Sequence, residues 1–154
     1  MTCISTHSAH RGAKGEHMFE GYFLEQGVFI AAPKHDLHRV DYVVEWNGGL
    51  QRVNVKTLHW VPSGKYYQAD TKTSNGSKGN RAYTSEEIDY LGVVSLEYER
   101  IWMVPLSATK GVTSLRWHPP EKNHRRRFDS FNWSPYLINK GCIRSSDTYS
   151  AKFS

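Results

Sequence analysis

The run DYVVEWNGGLQRVNVKT, residues 41–57, limits the possible folds more than any other segment of the chain. Two stretches rich in Val, Tyr and Trp flank Asn47-Gly48-Gly49. Asn-Gly tolerates the left-handed backbone that a tight two-residue loop requires, so the spacing predicts a β-hairpin. Side chains alternate across a strand, which sends Val53 and Val55 to one face and Arg52, Asn54 and Lys56 to the other. Asp41 opens the partner strand and folds back toward residues 54–56. A carboxylate, an amide oxygen and an ammonium are thereby expected in one neighbourhood.

The remaining periodicities build a domain around this hairpin. In AKGEHMFEGYFLEQG, Met18, Phe19, Tyr22 and Phe23 recur at helical spacing, and Gly27 is placed to end the helix. Residues 1–13 are polar and aperiodic and read as a flexible N-terminal arm. VFIAAP (28–33) is long enough for one buried strand, and HDLHRV is a polar connector. Residues 62–82 read as a basic loop in which Tyr66 and Tyr67 add a strand and SNGSKGN forms an exposed tip. Thr84 followed by Ser85, Glu86 and Glu87 reads as an N-cap opening a short helix. YLGVVSL and RIWMVPL give two more strands, and SLRW a further candidate. The expectation is a mixed α/β domain of the α+β kind, a central mixed sheet with helices on its faces. The core occupies 14–107, a basic and aromatic C-terminal extension 108–141, and a disordered tail 142–154.

At 154 residues the chain suits one core rather than two. Its charge of +5 and 20 Lys+Arg against 15 Asp+Glu favour a polyanionic partner. Cys3 and Cys142 form no zinc-type spacing and read as free thiols. No apolar stretch is long enough to span a membrane and the first residues lack the apolar core of a secretion signal, so a cytoplasmic location is the expectation.

Glu16 adds a second carboxylate. Its helical neighbours Phe19, Glu20 and Phe23 place it on the face that packs against the sheet, where a charge needs a partner or a metal. Glu20 reads as an exposed helix charge. Taken singly, Asn54 and Lys56 are ordinary occupants of a solvated strand face, and Asp41 a strand-start cap. With Glu16 they read as a site.

Gly15-Glu16 on a first helix, Asp41 before an apolar strand, a strand ending Val53-Asn54-Val55-Lys56-Thr57, and then RAYTSEEIDYLGVV and RIWMVPL form an ordered set. Over roughly residues 12–107 this set resembles the PD-(D/E)XK nuclease superfamily, in particular the small branch of cyanobacterial group I intron homing endonucleases. The resemblance implies a restriction-endonuclease-like fold and a Mg²⁺-dependent endonuclease, with Mn²⁺ as a substitute ion. Glu16 and Asp41 would be metal ligands, Asn54 would offer its side-chain oxygen and Val55 its carbonyl. Lys56 would orient the attacking water and balance charge on the scissile phosphate. Where the branch has Gln or an acid, this chain has the neutral and shorter Asn54.

Double-stranded DNA is the implied partner, with Lys65, Lys72, Lys78 and Arg81 in the basic loop and Arg125, Arg126 and Arg127 further on as phosphate contacts. One active site per subunit implies a homodimer or homotetramer for double-strand cleavage. His35, Asp36 and His38 resemble a metal cluster, yet a loop with two histidines is more often simply polar. Trp117, Trp133 and Tyr136 are assigned to packing of the C-terminal extension. Three other functions stay open at this point: a Holliday-junction resolvase, an inactive DNA-binding module, and an RNA-binding protein that stacks bases on sheet aromatics.

Overall fold

The computed structural model describes residues 4–35, 39–120 and 131–141. The long helix α1 spans Ile4–Glu25, and strands β1 (Ile30–Ala31), β2 (Tyr42–Trp46), β3 (Gly49–Thr57), β4 (His59–Val61), β5 (Tyr66–Asp70), β6 (Lys72–Ser74), β7 (Asn80–Ala82), β8 (Tyr90–Ser95), β9 (Arg100–Pro105), β10 (Ser114–Trp117) and β11 (Leu137–Asn139) follow it. No helix among the described residues is long and apolar enough to cross a membrane.

The predicted hairpin is present. Tyr42 pairs with Val53 and Trp46 with Gly49, leaving Asn47 and Gly48 as a two-residue loop. Both have positive φ, 51° and 82°, the geometry of the primed turn whose twist matches that of paired strands. The main sheet runs β1-β2-β3-β8-β9-β11. Only β3 and β8 pair in parallel, Val53 opposite Tyr90 and Thr57 opposite Val94, so the sheet is mixed as expected.

Helix α1 covers one face of this sheet. Phe19 and Phe23, four residues apart, are fully buried against Tyr42, Val44, Val53, Val94, Ile101 and Met103. Burial of each ring stabilises the fold by about 1.5–3 kcal/mol, and truncation of Phe19 to Ala is expected to cost about 3–5 kcal/mol. The helix ends as its sequence predicts: the Val28 amide donates to Phe23 O and the Gly27 amide to Leu24 O, the paired bonds of a Schellman cap. It starts earlier than the apolar periodicity indicates. Residues 4–13, read as a loose arm, are helical, and Arg11 ties this stretch down by donating to Leu58 O at 2.8 Å and meeting Glu97 at 2.8 Å.

The opposite face is covered by a second sheet, not by a helix. Beyond Thr57 the chain bends at buried Leu58 and continues as β4 in a three-stranded sheet ordered β10-β5-β4. Tyr67, Ala69, Leu115 and Trp117 from this sheet pack on Leu91, Val93, Trp102 and Val104 of the main one. The expected helix after Thr84 is a single turn, in which the Ile88 and Glu87 amides reach Thr84 O and Glu87 Oε2 accepts from the Thr84 amide at 2.9 Å. Asp89 ends it because Arg52 holds its carboxylate through two guanidinium bonds of 3.0 and 2.9 Å and a backbone bond of 2.8 Å. The first predicted strand shrinks to Ile30–Ala31, an edge that is only half-buried.

The aromatic residues fill the space between the two sheets. Trp102 lies 5.2 Å from Trp117 and 5.0 Å from Trp133 between ring centres, and all three rings are buried. Trp133 donates its indole N–H to Arg116 O, and β11 adds to the sheet edge at β9. Rings so placed anchor the C-terminal segment and, being buried, do not themselves stack on bases. The proposed tail at 142–154, Cys3 and Cys142 lie outside the described residues.

Candidate active site

Asp41 sits one residue before β2, where the pairing with β3 runs out. Its amide still donates to Val53 O at 2.9 Å, and its Oδ2 accepts the Val55 amide at 2.7 Å. The carboxylate thus replaces the next residue of β2 as partner to Val55. Because N–H and C=O of one strand residue leave on the same side, the Val55 carbonyl also projects toward the end of β2. Val55 therefore presents its backbone beside Asp41, as the resemblance implies.

Glu16 reaches the same place from α1, and a glycine makes this possible. A Cβ on Gly15 would lie 2.0 Å from Thr57 Oγ1, so the helix can rest directly on the end of β3 only without a side chain there. Thr57 Oγ1 is buried under this contact with no hydrogen-bond partner among the described residues. Glu16 and Asp41 then line one cleft of about 250 Å³, together with Ala32, Pro33, His35, Val40 and Tyr42. Glu20 is a third carboxylate nearby. It is half-buried rather than the exposed charge read from sequence, since Tyr42 OH donates to its Oε2 at 3.3 Å. Burial first, then the charges of Glu20 and Glu16, the bond to Glu20, and Asp41 push the Tyr42 phenol well above its ordinary range. Beyond burial, the shift reflects the charges of Glu20, Glu16 and Asp41 gathered at the cleft, which suit a hard cation.

Asn54 and Lys56 lie on the other side of β3 and meet at a residue the sequence reading did not select. Tyr83, just after β7, donates its hydroxyl to Asn54 Oδ1 at 3.0 Å, and Lys56 Nζ lies 5.2 Å from the centre of the same ring. Asn54 Nδ2 donates to Arg39 O at 2.8 Å. Both functions of this buried amide are engaged by protein groups, with one lone pair of Oδ1 beyond the Tyr83 bond. Lys56 Nζ also reaches Lys72 O at 3.4 Å. The structure thus gathers Glu16 with Asp41, and Asn54 with Lys56, and joins the pairs through the Val55 amide. Tyr83 carried only a weak signal, a tyrosine ahead of the acidic turn in the segment resembling the family. Arg39 carried none, lying in a connector read as merely polar.

No group of three or more His, Cys, Asp or Glu able to hold a metal occurs among the described residues. His35 lines the carboxylate cleft, while Asp36 and His38 lie outside the described residues. Two carboxylates with a carbonyl beside them fit Mg²⁺, which takes oxygen ligands and keeps much of its water. They do not fit zinc, which takes three or four protein donors.

The expected DNA contacts divide. Lys78 is exposed at the tip between β6 and β7, and Lys72 lies beside Lys56. Lys65 is exposed in the β4–β5 turn, at the end of β5 away from Lys72. Arg81 is held by Glu87 through bonds of 2.9 and 2.5 Å. Arg125, Arg126 and Arg127 lie outside the described residues.

A model of the PD-(D/E)XK endonuclease family matches residues 6–134 of the chain. Among solved structures, the chain is similar to that of a bacterial homing endonuclease, I-Ssp6803I, with a TM-score of 0.70 and 16% identity, over 84% of this chain and 87% of that one. No curated protein matches it. At that identity the structural likeness speaks for the fold: a central mixed sheet with a helix on one face and the hairpin at its heart. The family match runs from α1 through the hairpin and on past β10, and on it the chain belongs to the PD-(D/E)XK endonuclease family.

Proposed function

We propose that the chain is a Mg²⁺-dependent DNA endonuclease that hydrolyses phosphodiester bonds at specific sites, in the manner of a homing endonuclease. The observation that carries this reading is the convergence of Glu16 and Asp41 on one cleft, with the Val55 backbone and then Lys56 next along β3. The homing role is suggested by the structural neighbour, itself a bacterial homing endonuclease. Mn²⁺ is proposed as a substitute ion.

Glu16, Asp41 and the Val55 carbonyl would hold the ion, and Asn54, engaged by Tyr83 and Arg39 on the other side of β3, would support Lys56 rather than meet the ion. When bound, Mg²⁺ supplies a Lewis acid for the phosphoryl oxygen and lowers the pKa of a coordinated water. The chain's own groups provide the remainder. Asp41 fixes the end of β3 through the Val55 amide. Lys56 is steered by the Tyr83 ring and Lys72 O toward a single position, where its ammonium would hold the attacking water and face the charge developing on the phosphate. A single such site cuts one strand, so double-strand cleavage calls for at least two copies of the chain.

The test is incubation of the purified full chain with Mg²⁺ and supercoiled plasmid, linear duplex or four-way junction DNA. Cleavage of duplex DNA at defined positions, abolished by Lys56→Ala, is expected. Cutting confined to junctions would replace the homing role with junction resolution. If wild type and Lys56→Ala both bind DNA and leave every substrate intact, the enzyme reading fails.

A further inference from the structure

Strands β6 and β7 form a two-stranded ribbon of their own, with Lys72 opposite Ala82, Thr73 opposite Arg81 and Ser74 opposite Asn80. We propose that this ribbon enters the major groove of duplex DNA and reads base edges beside the scissile phosphate, an inference that rests on the DNA-nuclease reading above. The ribbon is tied to the active site at its base. Lys72 O meets Lys56 Nζ at 3.4 Å and Tyr83, directly after β7, bonds Asn54, while further out, where β6 meets the tip, Arg39 Nη2 donates to Ser74 O at 2.8 Å. Where the phosphate meets Lys56, the ribbon leaves from the same point.

The tip is shaped rather than loose. The Asn75 amide donates to Gly79 O at 2.7 Å, the Lys78 amide to Asn75 O at 3.3 Å, and the Gly76 amide to Ser74 Oγ at 3.3 Å. Every residue from Ser74 to Gly79 is exposed, as is Asn80. The seven-residue stretch SNGSKGN contains no acid and no large apolar side chain. An interface with another protein would be expected to present an aromatic or aliphatic anchor. Asn75, Asn80, Ser77 and Lys78 instead present the amide, hydroxyl and ammonium groups that pair with purine edges, Asn with adenine and Lys with guanine. The dimensions agree. Paired strands lie about 5 Å apart at about 3.3 Å per residue, so the three paired residues of each strand run roughly 10 Å before the turn at the tip. A two-stranded ribbon fits the major groove, about 12 Å wide and about 8.5 Å deep. Arg81 does not share in the reading, because Glu87 holds its guanidinium from the side. It stiffens the ribbon's return strand.

The experiment is selection of bound duplexes from a pool carrying a random stretch, in EDTA so that no cleavage intervenes, followed by sequencing. Wild type is compared with Asn75→Ala/Lys78→Ala/Asn80→Ala, and circular dichroism verifies the fold. Wild type should enrich a motif, and the triple variant should lose preference over one contiguous block of about three base pairs. Its affinity for the wild-type motif should fall roughly 5- to 150-fold, with non-specific binding reduced only as loss of one cation requires. An unchanged motif in the variant, no motif in wild type, a loss uniform over all sequences, or stronger binding of single-stranded RNA would each overturn the proposal. A ribbon-dependent motif without Mg²⁺-dependent cutting would leave this inference standing and sink the nuclease reading. Cutting without such a motif would do the reverse.

Discussion

The hydroxyl of Tyr83 donates to the side-chain oxygen of Asn54 at 3.0 Å, so the site's one departure from the family pattern is held by a specific partner. The same ring carries Lys56 at 5.2 Å. Tyr83→Phe keeps the ring and removes the donor, leaving a buried amide oxygen short of a bond. The expected loss is about 1–3 kcal/mol in denaturant unfolding, with cleavage slowed roughly 10- to 100-fold as Asn54 and Lys56 lose their common support. Tyr83→Leu, which also removes the aromatic face, should be slower again. A Tyr83→Phe protein as stable as wild type would show that the bond has no energetic role.

Gly15 sets how closely Glu16 approaches the hairpin. Alanine is the better helix former by about 0.8–1 kcal/mol, yet its Cβ would meet Thr57 Oγ1 at 2.0 Å. Gly15→Ala is therefore expected to destabilise by about 1–3 kcal/mol through overpacking and to draw Glu16 away from Asp41. Removing the hydroxyl with Thr57→Ala in the same chain should recover a large part of both losses. Denaturant melts and Mg²⁺ titrations of the two single variants and the double form the cycle. Additive single effects would show that the two residues do not compete for space.

The hairpin, and the placing of Asn54 and Lys56 on one face of β3, were readable because both follow from local rules. Asn47-Gly48 specifies its own turn, and alternation along β3 assigns Asn54 and Lys56 to one face whatever packs above them. The Schellman cap at Gly27 follows in the same way. What the sequence did not disclose depends on contacts far along the chain. Residues 4–13 lack an apolar stripe, and their helix is held by Arg11 bonding Leu58 and Glu97. The acidic stretch after Thr84 has the composition of a helix start, but Asp89 is taken by Arg52 and the turn stops there. Covering the second face with β10-β5-β4 depends on Leu58 redirecting β3, a change of sheet with no sequence marker. Tyr83 belongs with these: its role exists only once β7 has carried it back to β3.

Glu16 and Asp41 should be separable by what each does besides meeting the ion. Binding of Mg²⁺ to the folded state raises stability by mass action, so wild-type Tm should climb with Mg²⁺ in the absence of DNA. Glu16→Gln and Asp41→Asn should both flatten that rise. Without the ion, Asp41→Asn retains an oxygen for the Val55 amide and should melt close to wild type, whereas Asp41→Ala strands that amide and should lose about 1–3 kcal/mol. A Mg²⁺-dependent rise of full size in Glu16→Gln would place the ion elsewhere.

The Arg81–Glu87 pair makes a prediction that links acid stability to DNA binding. Bonds from Arg81, then from the Thr84 backbone, hold the Glu87 carboxyl down to about 2 from its ordinary 4.5. A carboxyl depressed in the folded state contributes its stability above the unfolded value and loses it as pH falls toward the folded one. The loss therefore runs from pH 4.5 down to about 2. Glu87→Gln should flatten the stability curve in that window and leave its shape near neutrality unchanged. Salt should shrink the difference, because the pair is partly exposed and such pairs are screened. The same substitution releases the Arg81 guanidinium beside the ribbon. DNA affinity at low salt should then rise, with the slope of log affinity against log salt steepening by about 0.9 for one added phosphate contact. A flatter acid limb with an unchanged salt slope would mean that Arg81, once freed, faces away from the duplex.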